Sequence, residues 1–202
     1  MLLEGVFVML IARMYLTLLT PIFAGIVNSV FCKSKLLSSL KIPMDFHKNF
    51  FDGKRIFGDN KTIKGFLGYI VFNILFSILF GLLFSICKLQ SYNFFYLNHE
   101  NTFLFNIWIG FLLGFFYALF ELPNSFIKRR FDITPGKSTK GFSKIFFTFL
   151  DQADSIFGVV LVVWIFYPLG LGVYLLYVLI GAGTHLLINM MLYFMHLRKN
   201  MF

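Results

Sequence analysis

Apolar residues along this chain fall into long runs separated by polar, basic segments. The first run extends from about Gly5 to Phe31 and is broken only by Arg13. The second covers 66–87 without a charge, and the third covers 103–120. From Ser155 to Met195 there is no Asp, Glu, Lys or Arg. A membrane helix needs about 20 apolar residues at 1.5 Å rise each, so this last block is too long for one span. The cluster Pro168-Leu169-Gly170-Leu171-Gly172 is turn-forming and divides it. The division predicts a fourth helix over about 145–167 and a fifth over 173–194. The fourth reaches spanning length only if it includes Asp151 and Asp154. The pattern predicts an all-α polytopic membrane protein with five transmembrane helices, in a single membrane domain over 1–202. No internal repeat or low-complexity linker interrupts it.

Composition agrees. Of 202 residues, 58% are hydrophobic and 13% charged, with 30 phenylalanines. Soluble domains carry about 25% charged residues. The N-terminal run lacks a basic leader and contains Arg13, so it reads as a retained first span rather than a signal peptide. Arg13 has two readings, snorkelling outward or pairing with Glu4. The two cysteines, Cys32 and Cys87, show no metal-ligand spacing. They fall at opposite ends of spans, which excludes a disulfide between them.

The net charge of +9 is placed asymmetrically. Segment 32–65 holds eight Lys/Arg, segment 121–150 holds six, and the tail adds Arg198 and Lys199. The other side keeps Lys88, with Arg13 embedded. The positive-inside rule then puts both long basic segments and the C-terminus in the cytosol, with the N-terminus outside. In a membrane protein such an excess signals topology, anionic lipid or an anionic substrate rather than nucleic acid.

The two basic segments carry the candidate chemistry. The first contains DGKRIFGDNKTIKG, Asp52 to Gly65, where Lys54, Arg55, Lys61 and Lys64 supply cations and glycines let backbone approach phosphate. It is not a P-loop: Asp59 and Asn60 follow Gly58 where Lys and Ser/Thr are required. The second, Glu121 to Lys144, has Lys128-Arg129-Arg130 and the stretch PGKSTKG, with Gly136 and Lys137. Pro123 favours a helix break near Glu121. The bland alternatives are a solvated loop on anionic lipid and a topology anchor. Asp151 and Asp154 stand three apart, so on a helix they share one face. Paired carboxylates there suit a hard cation such as Mg²⁺ that holds substrate phosphates. The competing reading bridges them to nearby lysines such as Lys144. His185, in span five, reads as a hydrogen-bonded packing residue, and Asn28 as a cross-helix hydrogen bonder.

The motifs GDNKTIKG (58–65), NSFIKRR (124–130) and DQADSIFG (151–158) resemble the CDP-archaeol synthases and their bacterial relatives. These are five-helix membrane cytidylyltransferases distantly similar to CDP-diacylglycerol synthases. The resemblance spans nearly the whole chain, Pro21 and Asn28 included. It implies Mg²⁺-dependent transfer of CMP from CTP to a lipid phosphate, releasing pyrophosphate. By that resemblance Asp151 and Asp154 hold the metal, while Lys61, Lys64, Lys128, Arg129 and Arg130 bind phosphates. Asp59, Asn60, Glu121 and Asn124 add metal or nucleotide contacts, Glu121 as a further metal ligand. Gly58, Thr62, Gly65, Gly136 and Lys137 fall in the substrate-binding motifs. The acceptor is either an isoprenoid ether lipid or a diacyl lipid. The alternative function is a non-catalytic lipid-binding membrane protein or a small transporter.

Overall fold

Because lipid offers no hydrogen bonds, each spanning segment must satisfy its own backbone, and helices do so. The computed structural model describes residues 2–134 and 142–197. Among them are helices α1 (Leu2–Lys33), α2 (Ile63–Ile86), a short α3 (Phe95–Asn98), α4 (Phe103–Arg130), α5 (Phe142–Phe166) and α6 (Leu171–Phe194). Five of these, all but α3, are long and apolar enough to cross a membrane. The all-α, five-span reading is borne out.

One difference lies in α4. The expected break at Pro123 does not occur, and the helix runs on to Arg130. Proline removes one intrahelical bond, but tertiary contacts hold the segment beyond it. Asn124 and Lys128 bond to α5, and Arg130 bonds to the loop before α2. The Lys128-Arg129-Arg130 cluster therefore sits on a helix, not in a loop.

Helix α4 packs against α2 through Gly110 and Gly114. A Cβ at either position would come within 2.5 Å of the α2 backbone, at Ile74 and Ile70 respectively. Small residues four apart let two membrane helices approach this closely. Helix α5 is the most enclosed: Val159, Val160, Val162 and Val163 are fully buried, and Gly158 abuts the Phe116 carbonyl of α4. Helix α6 meets α1 where the Tyr177 hydroxyl donates to the Met14 carbonyl at 2.8 Å. Asn28 bonds across helices as expected, donating to the Gly65 carbonyl of α2 at 3.1 Å.

The alternation of helix directions puts the ends of α1, α4 and α6 and the starts of α2 and α5 at one end of the bundle. The segment 87–102 caps the other end. There Arg13 Nε donates to the Ser91 carbonyl at 3.1 Å. Both cysteines are free thiols.

Candidate active site

At the basic end of the bundle lies a cavity of about 950 Å³, lined from α1, α2, α4, α5, α6 and the loop before α2. Its charged wall is built from helical spacing. On α4, Glu121, Asn124, Ser125 and Lys128 recur every three or four residues and so share one face. On α5, Asp151 and Asp154 do the same. The two faces meet. Asn124 Nδ2 donates to Asp151 Oδ1 and to Asp154 Oδ2, each at 2.7 Å. One amide nitrogen thus touches both carboxylates, as the shared-face reading expects. Lys128 pairs with Asp151, and Lys61, arriving from the loop, pairs with Glu121. Asp154 Oδ1 also accepts from the Ser155 amide at 2.6 Å.

Burial sharpens the electrostatics. Asp154 is 9% exposed and Arg129 8%. Burial alone would lower the pKa of the half-buried Lys61, but Glu121, Asp154 and Asp151 outweigh it and raise it. Two polar groups on the cavity wall are left over. Asn124 Oδ1 and Arg129 Nε and Nη1 are buried and find no hydrogen-bond partner among the described residues. Buried polar groups are normally bonded. An unpartnered guanidinium beside a cavity is a ready anion ligand.

The donor set fits a hard divalent cation. Two carboxylates stand against one amide whose oxygen, a hard donor, is unpartnered. Among the described residues no group of three His, Cys, Asp or Glu converges. Glu121, expected as a further ligand, lines the same cavity and pairs with Lys61, as Asp151 pairs with Lys128.

Of the residues singled out from sequence, Asp59, Asn60, Lys61, Thr62, Gly65, Glu121, Asn124, Lys128, Arg129, Asp151 and Asp154 all line this cavity. Thr62 and Gly65 also cap α2, the Thr62 hydroxyl accepting from the Gly65 amide at 3.1 Å. Three others are turned to structure. Lys64 is fully buried; its Nζ donates to the Ser34 carbonyl at 3.0 Å and lies 4.3 Å from the centroid of the Phe31 ring. Gly58 adopts φ +97°, a backbone that favours glycine, and its amide donates to Asp45 Oδ2 at 2.8 Å. Arg130 donates to the Arg55 carbonyl at 2.6 Å, pairs with Asp52 at 2.8 Å and stacks on Phe126. Gly136 and Lys137 lie outside the described residues, as does the side chain of Lys144.

Asp45 organises that loop. Its side chain is fully buried and accepts from Arg55 and from the amides of His47, Phe57 and Gly58. Burial would raise its pKa, but these bonds hold the carboxyl well below the usual range. The sequence reading missed Asp45. It also missed Tyr69 and Tyr117 as cavity residues. Tyrosines inside apolar runs at helical spacing look like packing, and nothing in their spacing marks them. His185 is hydrogen-bonded, as expected. Its Nδ1 lies 3.2 Å from the Gln152 carbonyl and its Nε2 3.4 Å from the Tyr117 hydroxyl.

Comparison with known proteins agrees with this geometry. The family model described as CarS-like, CDP-archaeol synthase, matches residues 7–202. A CDP-archaeol synthase of Methanococcus maripaludis is 35% identical over 162 residues, covering 78% of this chain and 81% of that protein. One from Methanocaldococcus jannaschii is 31% identical over 152 residues, covering 75% of this chain and 78% of that one. A solved structure of an intramembrane enzyme for archaeal membrane lipids biosynthesis superposes with a TM-score of 0.55 at 19% identity, over 82% of this chain and 90% of that chain. That last likeness shows a shared fold. The chain belongs to the CDP-archaeol synthase family and is an integral membrane cytidylyltransferase of lipid biosynthesis.

Proposed function

We propose that this cavity is where CMP passes from CTP to archaetidic acid, an isoprenoid ether lipid phosphate, giving CDP-archaeol and pyrophosphate. An acceptor phosphate oxygen attacks the α-phosphorus of CTP. The bond from that phosphorus to the oxygen bridging the α- and β-phosphates breaks, and pyrophosphate leaves with the electron pair. A phosphate nucleophile is already ionised near neutral pH and needs no strong base. The work is positioning and charge stabilisation. Arg129, Lys61 and Lys128 bind phosphate oxygens. Asp151 and Asp154, with Asn124 Oδ1, are the groups that would hold Mg²⁺. Bound there, Mg²⁺ would supply charge neutralisation for the leaving pyrophosphate.

The observation that carries this reading is the single Asn124 nitrogen bridging both aspartates beside the unpartnered Arg129. The test is pyrophosphate release by purified protein given archaetidic acid and each of the four nucleoside triphosphates, with and without Mg²⁺. Release with CTP that disappears on chelation supports it. Equal use of ATP and CTP contradicts the nucleotide assignment, and release unchanged by chelation contradicts the metal.

The same reading puts the cavity mouth and both basic segments in the cytosol, as the charge bias requires. Cys32 then reacts only from the cytosolic side and Cys87 from the outer side. Labelling intact and permeabilised cells with an impermeant thiol reagent checks this. Strong labelling of Cys32 in intact cells would invert the orientation.

A further inference from the structure

The loop before α2 carries a hairpin, 46–56, that takes no part in the cavity wall. Asn49 bridges to Arg55. The Phe50 amide donates to the Lys54 carbonyl at 2.8 Å, and the Gly53 amide to the Phe50 carbonyl at 3.0 Å. Gly53, at φ +76°, lets the chain turn. The hairpin is fastened to the end of α4 at three points. The Phe50 ring stands 5.1 Å from that of Phe126. Asp52 pairs with Arg130. Lys54 pairs with Asp132 and donates to the Arg130 carbonyl at 3.0 Å. At the tip of this fixed turn Phe51 is 100% exposed. A single exposed apolar residue is ordinary. This one is not isolated: its ring stands 5.0 Å from that of Phe50, which packs edge-on against Phe126. Three rings make a row from the helix out to the tip.

The face of α4 that receives this row is turned away from the cavity. Glu121, Asn124, Ser125 and Lys128 face inward. The helical period puts Pro123, Phe126, Ile127 and Arg130 on the opposite side, where Pro123 and Ile127 are exposed. Trp108 belongs to that side. It is 53% exposed and precedes Phe126 by eighteen residues, which is five full turns. This side of α4 therefore faces lipid along the span. Five turns rise about 27 Å, close to the hydrocarbon thickness of about 30 Å. With Trp108 near one boundary, where tryptophans concentrate, Phe126 reaches the other. The hairpin is then seated at headgroup depth on the lipid side of the bundle. Its charge suits that place. Lys54, Arg55 and Arg130 are already matched by Asp132, Asp45 and Asp52. Lys33, Lys35, Lys41 and Lys48 of the same segment are exposed and form its positive surplus.

We infer that this hairpin is an interfacial anchor, docked on the anionic headgroup layer of the bilayer that surrounds the protein. Phe51 enters the boundary between headgroups and acyl chains, and Lys48, three residues before it, meets lipid phosphates. The hairpin leads directly into Asp59, Asn60 and Lys61 on the cavity wall, so the bilayer surface steadies the segment that carries them. The inference rests on the five-span architecture and not on the reaction.

Two variants of the full chain test it. Phe51→Trp, in a protein carrying Trp108→Phe and Trp164→Phe, puts the one indole at the tip. It is reconstituted in bilayers with and without anionic lipid. Lipids brominated near the carbonyl end of their acyl chains should quench its emission, more strongly where anionic lipid is present. Acrylamide in the water should quench it less than it quenches free tryptophan. No quenching by brominated lipid, or acrylamide quenching equal to that of free tryptophan, overturns the inference and leaves the tip to a soluble partner protein. Equal quenching by brominated lipid with and without anionic lipid overturns the anionic surface as the occupant. The second variant is Phe51→Ser with both tryptophans in place. In anionic bilayers trypsin should cut it after Lys48 or Lys54 about tenfold faster than wild type, the scale of partly withdrawing one aromatic ring from an apolar layer. In detergent the two should be cut at the same rate. Cleavage at the wild-type rate in bilayers overturns the inference. An equal acceleration in detergent also overturns it, because Phe51 would then serve the fold of the hairpin.

Discussion

Arg129 and Arg130 are neighbours at the end of one helix and serve opposite purposes. Arg130 turns to the loop before α2, where it is ion-paired with Asp52, donates to the Arg55 carbonyl and stacks on the Phe126 ring, with Nη1 left without a hydrogen bond among the described residues. Around it Asp45 binds Arg55 and three backbone amides, and Lys54 pairs with Asp132 at 2.7 Å. Arg129 turns to the cavity, where two of its nitrogens have no partner among the described residues. Asn124 is similarly incomplete, with its nitrogen bonded twice and its oxygen not at all. A network of ion pairs closed within the protein stabilises a fold. An unsaturated one beside a cavity is complete only when a ligand arrives. The same residue types, in the same basic segments, are divided between these tasks.

Substitutions that separate the two networks give the clearest outcomes. Arg129→Gln should cut turnover by about a hundredfold or more, the usual scale for losing one preorganised charge at a phosphoryl centre. Its thermal unfolding should move little, because no described bond is broken. Steady-state kinetics with a melting curve on the same sample checks both halves. Asp45→Ala should do the reverse. It strands three amides and leaves Arg55 with Asp59 as its remaining carboxylate partner, costing about 2–4 kcal/mol, while turnover per folded molecule stays near wild type. Denaturant or heat titration reads the loss. Arg130→Gln should weaken the loop by about 1–2 kcal/mol and leave CTP affinity unchanged, measured by direct binding.

The smallest effect is in pH. The folded Asp45 carboxyl holds its proton less tightly than the unfolded one. Its contribution is therefore complete above the ordinary aspartate value of about 3.9 and is lost as pH falls below it towards the depressed folded value. Protease cleavage within 34–62 should rise below about pH 4. In Asp45→Asn that pH dependence should be absent. An unchanged profile in the variant would remove Asp45 from the organisation of the loop.

Much of this was legible in the chain because lipid imposes a strong length rule. Five apolar runs became five long helices, and the need to include Asp151 and Asp154 in the fourth put them on one face. Asn28 and His185 were hydrogen-bonded as expected, since a polar group in an apolar span must find a partner. The division of labour among cations was not legible. Nothing in the motif of Lys61, Lys64 and Gly58 says that Lys61 reaches the cavity while Lys64 holds the Ser34 carbonyl. Those directions follow from tertiary contacts between segments far apart in the chain. The same reason carried α4 through Pro123, where contacts with α5 outweighed one missing backbone bond. Tyr117 left no signal because its partner, His185, is 68 residues away.

The central claim is that the aspartates exist for the reaction and not for the fold. The direct measurement is kcat for Asp154→Asn with CTP and archaetidic acid, alongside the melting temperature of the same preparation. Asn keeps the shape and discards the charge. Turnover should fall by at least about a hundredfold, with unfolding at or above the wild-type temperature, because a buried carboxylate is relieved. Near-normal turnover in a folded Asp154→Asn protein would contradict the account.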